Sequence, residues 1–202
     1  MLLMAQIDGL ERITLDGGDL GYLAAWQTPV AADLWLTALR AEIPWSTHQV
    51  RIYGRSITSP RLSSWHGDPD ASYAYSGTRH QPHPWTPVLS QIADSLQETL
   101  GQRFNGVLVN RYRDGNDSMG WHADNEPELG PEPLIASISL GAPRRFCLKH
   151  QGTGQRLQLT LAHGSLLLMA GQTQRHWRHA LPKERGVDRE RINLTFRQIL
   201  GR

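Results

Sequence analysis

Residues 191–197 read RINLTFR, and the alternation of this stretch decides how the fold is interpreted. Side chains two positions apart share one face of a β-strand, so Ile192, Leu194 and Phe196 fall together on an apolar side. The other side carries Arg191, Asn193, Thr195 and Arg197. Such a strand is either a sheet edge that faces water or one wall of a polar cavity, where two buried arginines require an anionic partner.

Short apolar segments separated by glycine and proline turns extend from residue 104 to the C-terminus. FNGVLVNRYR, PLIASISLG and SLLLMAG are examples, and they predict the short strands of a sandwich or jelly roll. Two helices are predicted earlier in the chain, within residues 29–45 and 85–101. The first has apolar residues near helical spacing at Leu34, Leu36, Leu39 and Ile43. The second has Val88, Leu89, Ile92, Leu96 and Leu100 on one stripe and stops at Gly101.

Composition predicts a soluble intracellular protein. The 202 residues fit one domain, and no apolar run approaches the roughly 20 residues of a membrane helix. The N-terminus lacks the pattern of a signal peptide, and a single cysteine, Cys147, fits a reducing compartment. We expect a cytoplasmic protein, or a nuclear one if the organism is eukaryotic. The basic residues are nearly all arginine, which suits phosphate recognition but also follows from codon bias.

A metal site is suggested by MGWHADNEPELG, residues 119–130, in which His122 and Asp124 lie two positions apart. A third ligand is available in RHWRHALP, where His179 follows Asp124 by 55 residues. Two histidines and one carboxylate form the facial triad that holds Fe(II) and leaves coordination positions open. His176 and His179 would face opposite sides of a strand, so only one of them can be a ligand.

The C-terminal half resembles the AlkB family of iron- and 2-oxoglutarate-dependent dioxygenases. The resemblance rests on NRYRDGNDSMGWHADNEPELG, PLIASISLGAPRRF, LAHGSLLLM, HWRHALPKE and RINLTFR, and it covers residues 104 to about 199. PRLSSWHGD and HPWTPVL extend a weaker match to about residue 60. The family implies an α+β, mainly β fold: a double-stranded β-helix (jelly roll) core over about 104–202. An N-terminal extension over about 1–103 would supply helices and a substrate-binding hairpin lid, within a single catalytic domain of 1–202.

The resemblance implies that His122, Asp124 and His179 hold Fe(II). It favours His179 over His176 because the family's distal histidine lies just before the LP turn. It implies that 2-oxoglutarate, a cosubstrate with O2, is bound by residues on two strands. These are Asn110 and Tyr112, with Arg191 and Arg197 opposite the carboxylates and Asn193 and Thr195 on the same wall. Which arginine meets which carboxylate is left open.

The implied reaction is oxidative demethylation of N-alkylated bases such as 1-methyladenine and 3-methylcytosine, with release of formaldehyde, succinate and CO2. Alkylated DNA is the expected partner and RNA a second candidate. We expect a monomer with no membrane association and no obligate protein partner. One alternative keeps the chemistry but acts on a protein side chain or a small molecule. Another is a non-catalytic metal-binding jelly roll or nucleic-acid binding module. A zinc hydrolase is a weaker alternative, because it would not explain why Arg191 and Arg197 face the metal.

The resemblance also places substrate contacts in HQVRIYGRSITSPRLSSWHGD, residues 48–68, which has no acid between residues 51 and 66. A flipped base needs flat side chains to hold it. Tyr53 would probe the stack from a hairpin tip beside Arg55, and Trp65 or His66 would contact the base. Asn125 and Glu126 follow the ligand aspartate and are also expected to contact substrate. Relatives commonly have an acid at the position of Asn125 and often have an aromatic residue at the position of His66. An amphipathic hairpin with a core tryptophan is the alternative. Trp121, beside the first ligand, is expected to pack in the core, and packing against the metal ligands is the alternative.

Overall fold

The computed structural model describes residues 7–47, 49–52, 55–71, 73–75 and 78–200. The described elements are two long helices, a one-turn helix, a 3-10 helix at Pro127–Leu129 and fifteen strands. The helices are α1 (Pro29–Glu42), α2 (Pro87–Leu100) and α3 (Thr173–His176). The strands are β1 (Glu11–Leu15), β2 (Gly18–Leu23), β3 (Gln49–Ile52), β4 (Arg55–Thr58), β5 (Leu62–Gly67), β6 (Tyr73–Tyr75), β7 (Thr78–His80), β8 (Gly106–Tyr112), β9 (Met119–His122), β10 (Ile135–Gly141), β11 (Arg144–His150), β12 (Arg156–Leu161), β13 (Ser165–Ala170), β14 (Trp177–Leu181) and β15 (Arg191–Arg197).

Antiparallel pairing joins the strands into two main sheets. The larger sheet has seven strands in the order β1-β2-β13-β10-β15-β8-β5, and the smaller has four in the order β12-β11-β14-β9. β3 pairs with β4 and β6 pairs with β7 as separate two-stranded hairpins. The larger sheet takes β1, β2 and β5 from the N-terminal half, so it combines strands from before and after residue 104. The fold is therefore mainly β, with antiparallel sheets and few helices.

Both long helices form where the sequence predicts them, and each begins with a threonine cap followed by proline. The Thr28 side chain accepts from the Ala31 amide, and the Thr86 side chain accepts from the Leu89 amide. α2 ends at Gly101, whose φ of 63° is the left-handed conformation that glycine adopts readily. Leu34 departs from the predicted stripe of α1 and is 66% exposed. Two residues of helix turn through about 200°, so Leu34 points away from the buried Leu36.

Two hydrophobic clusters hold the layers together. The first lies between the helices and one face of the larger sheet, and it includes Ile192, Leu194 and Phe196 of β15. The second lies between the two sheets and contains side chains of both, such as Leu167 and Leu148. With one face of β15 packed under the helices, its polar face is turned toward the smaller sheet, so β15 is a cavity wall and not an edge. No helix in the described ranges has the length and apolar character to cross a bilayer.

A bulge interrupts β9, at the edge of the smaller sheet. His122 is opposite His179 and Met119 is opposite Leu181, so β9 contains one residue more than β14 over the same interval. Met119 and His122, three positions apart, both line the cavity described below. The two residues between them, Gly120 and Trp121, are exposed.

Candidate active site

The three predicted metal ligands meet in space. His122 ends β9, Asp124 follows it in the next loop, and His179 lies on β14 directly opposite His122. One ligand atom from each residue lies within 4.8 Å of the other two, and the histidine ring centroids are 4.2 Å apart. Strand pairing positions the histidines, and the turn after β9 brings the carboxylate to them.

Both histidines are held in the neutral form that a metal requires. His122 Nδ1 lies 2.9 Å from the Gly120 carbonyl oxygen, which can only accept, so Nδ1 carries the proton and Nε2 keeps its lone pair. Burial lowers the pKa of His122. Burial and then the charge of His122 lower the pKa of His179 to about 3. Neither ring therefore needs to lose a proton at neutral pH before it binds a cation.

Asp124 is buried and is held at two points. Arg197 Nη2 donates to Asp124 Oδ1 over 2.9 Å, and both side chains are almost fully buried. Burial alone would raise the pKa of this carboxyl, but the charges of Arg197 and of the two histidines lower it to about 2. The Asp124 backbone amide donates to Gln174 Oε1 over 2.9 Å. Both the charge and the position of this ligand are therefore fixed by the protein.

A cavity of about 440 Å³, with its open mouth included, surrounds the triad. Its lining comes from both sheets: Leu108, Asn110, Tyr112, Ser137, Met169, Arg191, Asn193, Thr195 and Arg197 on the larger one, and Met119, His122, Asp124, Phe146, His179 and Leu181 on or beside the smaller one. The structure therefore brings together every residue for which the sequence predicted metal or 2-oxoglutarate binding.

Arg191 is a buried cation on the wall of the larger sheet, and its hydrogen bonding is incomplete. It is 2% exposed and donates through Nη2 to Ser139 Oγ over 2.8 Å. Its guanidinium lies 5.4 Å from the centre of the Tyr112 ring, and its Nε has no partner among the described residues. Burial lowers the pKa of Arg191 to about 10, so it stays charged at neutral pH. A buried charge with an unused donor at a cavity suits an anionic ligand.

The amide and hydroxyl groups of the same wall are connected to one another. Arg61 Nε donates to Asn110 Oδ1 over 2.8 Å, and both side chains are buried. Asn193 Nδ2 donates to Ser137 Oγ, and Thr195 Oγ1 donates to Asn193 Oδ1. Side chains held in this way lose little freedom when a ligand binds, so the wall is preorganised.

The donor groups fit the predicted cofactors. Two neutral imidazoles and a carboxylate, grouped on one side of a cavity with space beside them, match the facial triad for Fe(II). The buried guanidinium of Arg191 on the opposite wall suits a carboxylate of 2-oxoglutarate. The same cavity can therefore hold both groups.

The residues predicted to contact substrate are more scattered. Tyr53 lies outside the described residues, and so does the side chain of Arg55, the first residue of β4. Trp65 on β5 is opposite the cavity-lining Leu108 on β8, so the two share one face of the sheet. Trp65 is nevertheless buried, and its indole N–H donates to the Ala71 carbonyl. Asn125 is exposed and Glu126 half-buried, in the loop after the ligand aspartate.

His66 is not brought to the cavity. It is opposite Val107, a member of the cluster under the helices, so it occupies the other face of β5 from Trp65. Its Nδ1 donates to the Pro84 carbonyl oxygen over 2.8 Å, and Ser64 Oγ lies 3.0 Å from Nε2. Strand alternation explains the difference, because Trp65 and His66 are neighbours and cannot share a face.

Trp121 was predicted to pack in the core, and this is wrong. Its side chain is 47% exposed because the bulge in β9 turns it away from the cavity. Gln174 is the converse case, a residue that the sequence gave no reason to select. It is 2% exposed on α3, and only its position five residues before His179 could have suggested a role.

Comparison with known proteins agrees with this geometry. The model of the 2OG-Fe(II) oxygenase superfamily matches residues 19–197. The chain is 43% identical over 180 residues to DNA oxidative demethylase ALKBH2 of Mus musculus, covering 84% of this chain and 75% of that protein. It is 39% identical over 200 residues to the protein of the same name from Homo sapiens, covering 94% and 76%. With alpha-ketoglutarate-dependent dioxygenase alkB homolog 3 of Homo sapiens it shares 38% identity over 178 residues, covering 83% and 62%.

Solved structures add a likeness of fold. The structure of OsALKBH1 superposes with a TM-score of 0.64 at 18% identity, covering 93% of this chain and all of that one. A 2OG-Fe(II) oxygenase family oxidoreductase from Burkholderia pseudomallei gives 0.57 at 17% identity, covering 91% and 88%. Since the family model and the relatives above 30% identity both span most of the chain, this protein belongs to the AlkB family of the 2OG-Fe(II) oxygenase superfamily, whose enzymes use Fe(II), 2-oxoglutarate and O2.

Proposed function

We propose that this protein removes methyl groups from N-alkylated bases in DNA by Fe(II)- and 2-oxoglutarate-dependent oxidation. One observation carries the proposal: a His-Asp-His triad, in which Asp124 and His179 are buried and His122 is half-buried, shares its cavity with a buried arginine that has an unused donor. The names of the relatives, DNA oxidative demethylase among them, support DNA as the substrate. The finer proposals are a jelly-roll core, one catalytic domain, a monomer, and 1-methyladenine and 3-methylcytosine as lesions, with methylated RNA as a second substrate.

Each wall of the cavity has its own task. His122, Asp124 and His179 hold the metal on one side of it. Arg191 binds a carboxylate of 2-oxoglutarate from the other side, with Asn110 and Tyr112 beside it. Arg197 neutralises Asp124 and orients that carboxylate toward the metal. Asn193 and Thr195 keep the wall in place through their bonds to each other and to Ser137.

When bound, Fe(II) with 2-oxoglutarate and O2 supplies the oxidation, in which 2-oxoglutarate yields succinate and CO2 and the N-methyl group is hydroxylated and lost as formaldehyde. The protein positions the reacting groups and keeps water away from them. Leu108, Phe146 and Leu181 line the cavity with hydrocarbon, which excludes water from the reacting groups. A base that is stacked in a duplex cannot reach the metal, so it must leave the stack to enter the cavity.

The test uses single- and double-stranded oligonucleotides that contain one 1-methyladenine or 3-methylcytosine, with Fe(II), ascorbate and 2-oxoglutarate. We expect mass spectrometry to show the loss of one methyl group, with an equal amount of formaldehyde. His179→Ala should abolish the reaction. His176→Ala is the matched control and should retain it, because the His176 side chain contacts Gln172 and does not line the cavity.

A metal-loaded enzyme that removes no methyl group from any methylated DNA would refute the proposal. If peptides instead of oligonucleotides stimulate 2-oxoglutarate consumption, the substrate is a protein side chain. The RNA arm of the same panel decides whether methylated RNA is also a substrate.

A further inference from the structure

Three basic side chains form one row across the outer face of the smaller sheet. Lys149 on β11 is directly opposite Arg156 on β12 and directly opposite Arg178 on β14. All three are exposed, while the alternate positions on these strands, such as Leu148 and His179, face inward. Adjacent strands are about 4.8 Å apart, so the row places three positive charges within about 10 Å.

The three strands that carry the row contain no acidic residue. Between Glu132 and Glu184 the chain contains no aspartate or glutamate, and this interval includes the whole of β11, β12 and β14. In the part of the chain that the structure describes, no ion pair joins an acid to any of the three cations. Arg145, on the same face, does pair with Glu184. Like charges directly opposite each other destabilise a sheet, so a row of three is a cost that an anionic ligand would offset.

An exposed aromatic side chain lies on the edge strand next to this row. Trp121 is on the edge strand β9, which pairs with β14, and the bulge leaves it exposed immediately before the metal ligand His122. A Cβ atom added at the neighbouring Gly120 would meet nothing within 4 Å apart from its chain neighbours, so the backbone before Trp121 borders open space. Exposed aromatic rings beside basic side chains are typical of surfaces that bind single-stranded nucleic acids.

We propose that Trp121, Arg178, Lys149 and Arg156, here named the strand track, bind the nucleotides that flank the methylated base on the same nucleic-acid strand. This rests on the proposed function, because a base that enters the cavity brings its neighbours to the edge of β9. A flanking base stacks on Trp121, and the following phosphates lie on the basic row. A nucleic-acid strand supplies a flat ring and a negative charge at every step, whereas an acidic protein supplies only the charge.

Substrates of two lengths separate the strand track from the cavity. We would compare Lys149→Gln/Arg156→Gln/Arg178→Gln with Arg12→Gln/Arg103→Gln/Arg189→Gln, which removes the same charge elsewhere. Substrates are a methylated trinucleotide and a methylated single strand of about 16 nucleotides. For the long strand, we expect the basic-row variant to raise KM about tenfold and to flatten the plot of log KM against log salt by about 2, since each lost contact contributes about 0.7. The trinucleotide KM, the kcat and the 2-oxoglutarate KM should match those of the control.

A binding measurement makes the test independent of turnover. Fluorescence anisotropy with an unmethylated strand should show the same loss of affinity in the basic-row variant. Trp121→Ala should weaken this binding about fivefold or more, and Trp121→Phe should restore most of it, because stacking needs a ring. Lys149→Gln alone should melt at a higher temperature than wild type, because it relieves the repulsion in the row.

Equal KM, salt dependence and affinity in the two triple variants would overturn the strand track even if the enzyme demethylates DNA. An equal rise in KM for the trinucleotide and the long strand would also overturn it, since the substitutions would then have altered the cavity. Tight binding of poly-aspartate without binding of the oligonucleotide would assign the face to an acidic protein. Absence of turnover with intact, row-dependent binding would refute the proposed function and leave the strand track standing.

Discussion

The two walls of the cavity solve opposite electrostatic problems. The wall of the smaller sheet presents two neutral imidazoles and one carboxylate, with the pKa of His179 lowered to about 3 and that of Asp124 to about 2. The wall of the larger sheet presents the buried guanidinium of Arg191. One wall is built for a cation and the other for an anion, and the Arg197–Asp124 pair connects them. The comparison teaches that one cavity can hold both partners because the groups for the cation and the group for the anion lie on different sheets.

The largest expected effect comes from breaking the metal wall at its carboxylate. Asp124→Ala should lower affinity for Co(II), a stable probe for the site, by more than the roughly 100-fold that loss of a supporting residue causes. It should also destabilise the protein by about 3–5 kcal/mol, because Arg197 stays buried without its anion. Isothermal titration and urea unfolding measure the two effects. Asn125→Ala, at the exposed next position, is the control, and similar losses there would contradict the assignment.

Breaking the other wall should leave the metal in place. Arg191→Gln removes a charged donor worth about 1.5–3 kcal/mol, so the KM for 2-oxoglutarate should rise about 10- to 150-fold. Affinity for Co(II) without 2-oxoglutarate should not change. Arg189→Gln, on the exposed loop before β15, serves as the matched control. If Arg191→Gln weakened the metal as much as the cosubstrate, the two walls would not act separately.

A smaller effect is expected from the residue that positions the carboxylate. Gln174→Ala removes the acceptor for the Asp124 amide, and we expect metal affinity to fall about tenfold, as for other residues that orient a ligand. Hydrogen exchange at the Asp124 amide should quicken, which general destabilisation alone would not do selectively. Gln172→Ala, an exposed glutamine two residues earlier, should do neither. Unchanged metal affinity in Gln174→Ala would exclude the positioning role.

The smallest effect lies outside both walls, at His66. Burial lowers its pKa, and this effect outweighs the hydrogen bond to the Pro84 carbonyl, which raises it. As pH falls below about 6.5, the unfolded chain takes up a proton that the folded one resists, so stability is lost. Relative to His66→Gln, wild type should therefore lose part of its advantage in the free energy of unfolding between pH 7.5 and pH 5.5. Urea titrations at both values measure this, and a constant difference would mean that His66 does not titrate on unfolding.

The sequence predicted most of what local periodicity determines. Alternation in RINLTFR separated Ile192 from Arg191 correctly, and helical spacing located both long helices and the glycine that ends α2. The resemblance to the AlkB family was confirmed by the family model and the relatives. These features need only neighbours in the chain or a recognisable motif.

What the sequence did not predict depends on contacts between distant segments. Gln174 reaches Asp124 across 50 positions, and Arg197 reaches it across 73. His66 faces the helices because β5 pairs with β8 in one register, which no local pattern specifies. Trp121 is exposed because β9 contains an extra residue, and the count of residues in a partner strand cannot be read from the strand itself.

The extra residue in β9 also bears on how the molecules behave toward one another. An edge strand presents unused backbone groups to which a strand of a second molecule can add, and such addition is a route to aggregation. Bulges disrupt the regular ladder that this addition requires. The irregularity that sends His122 inward and Trp121 outward therefore also protects an open sheet margin, and a variant that restored regular spacing there would lose solubility along with its metal ligand.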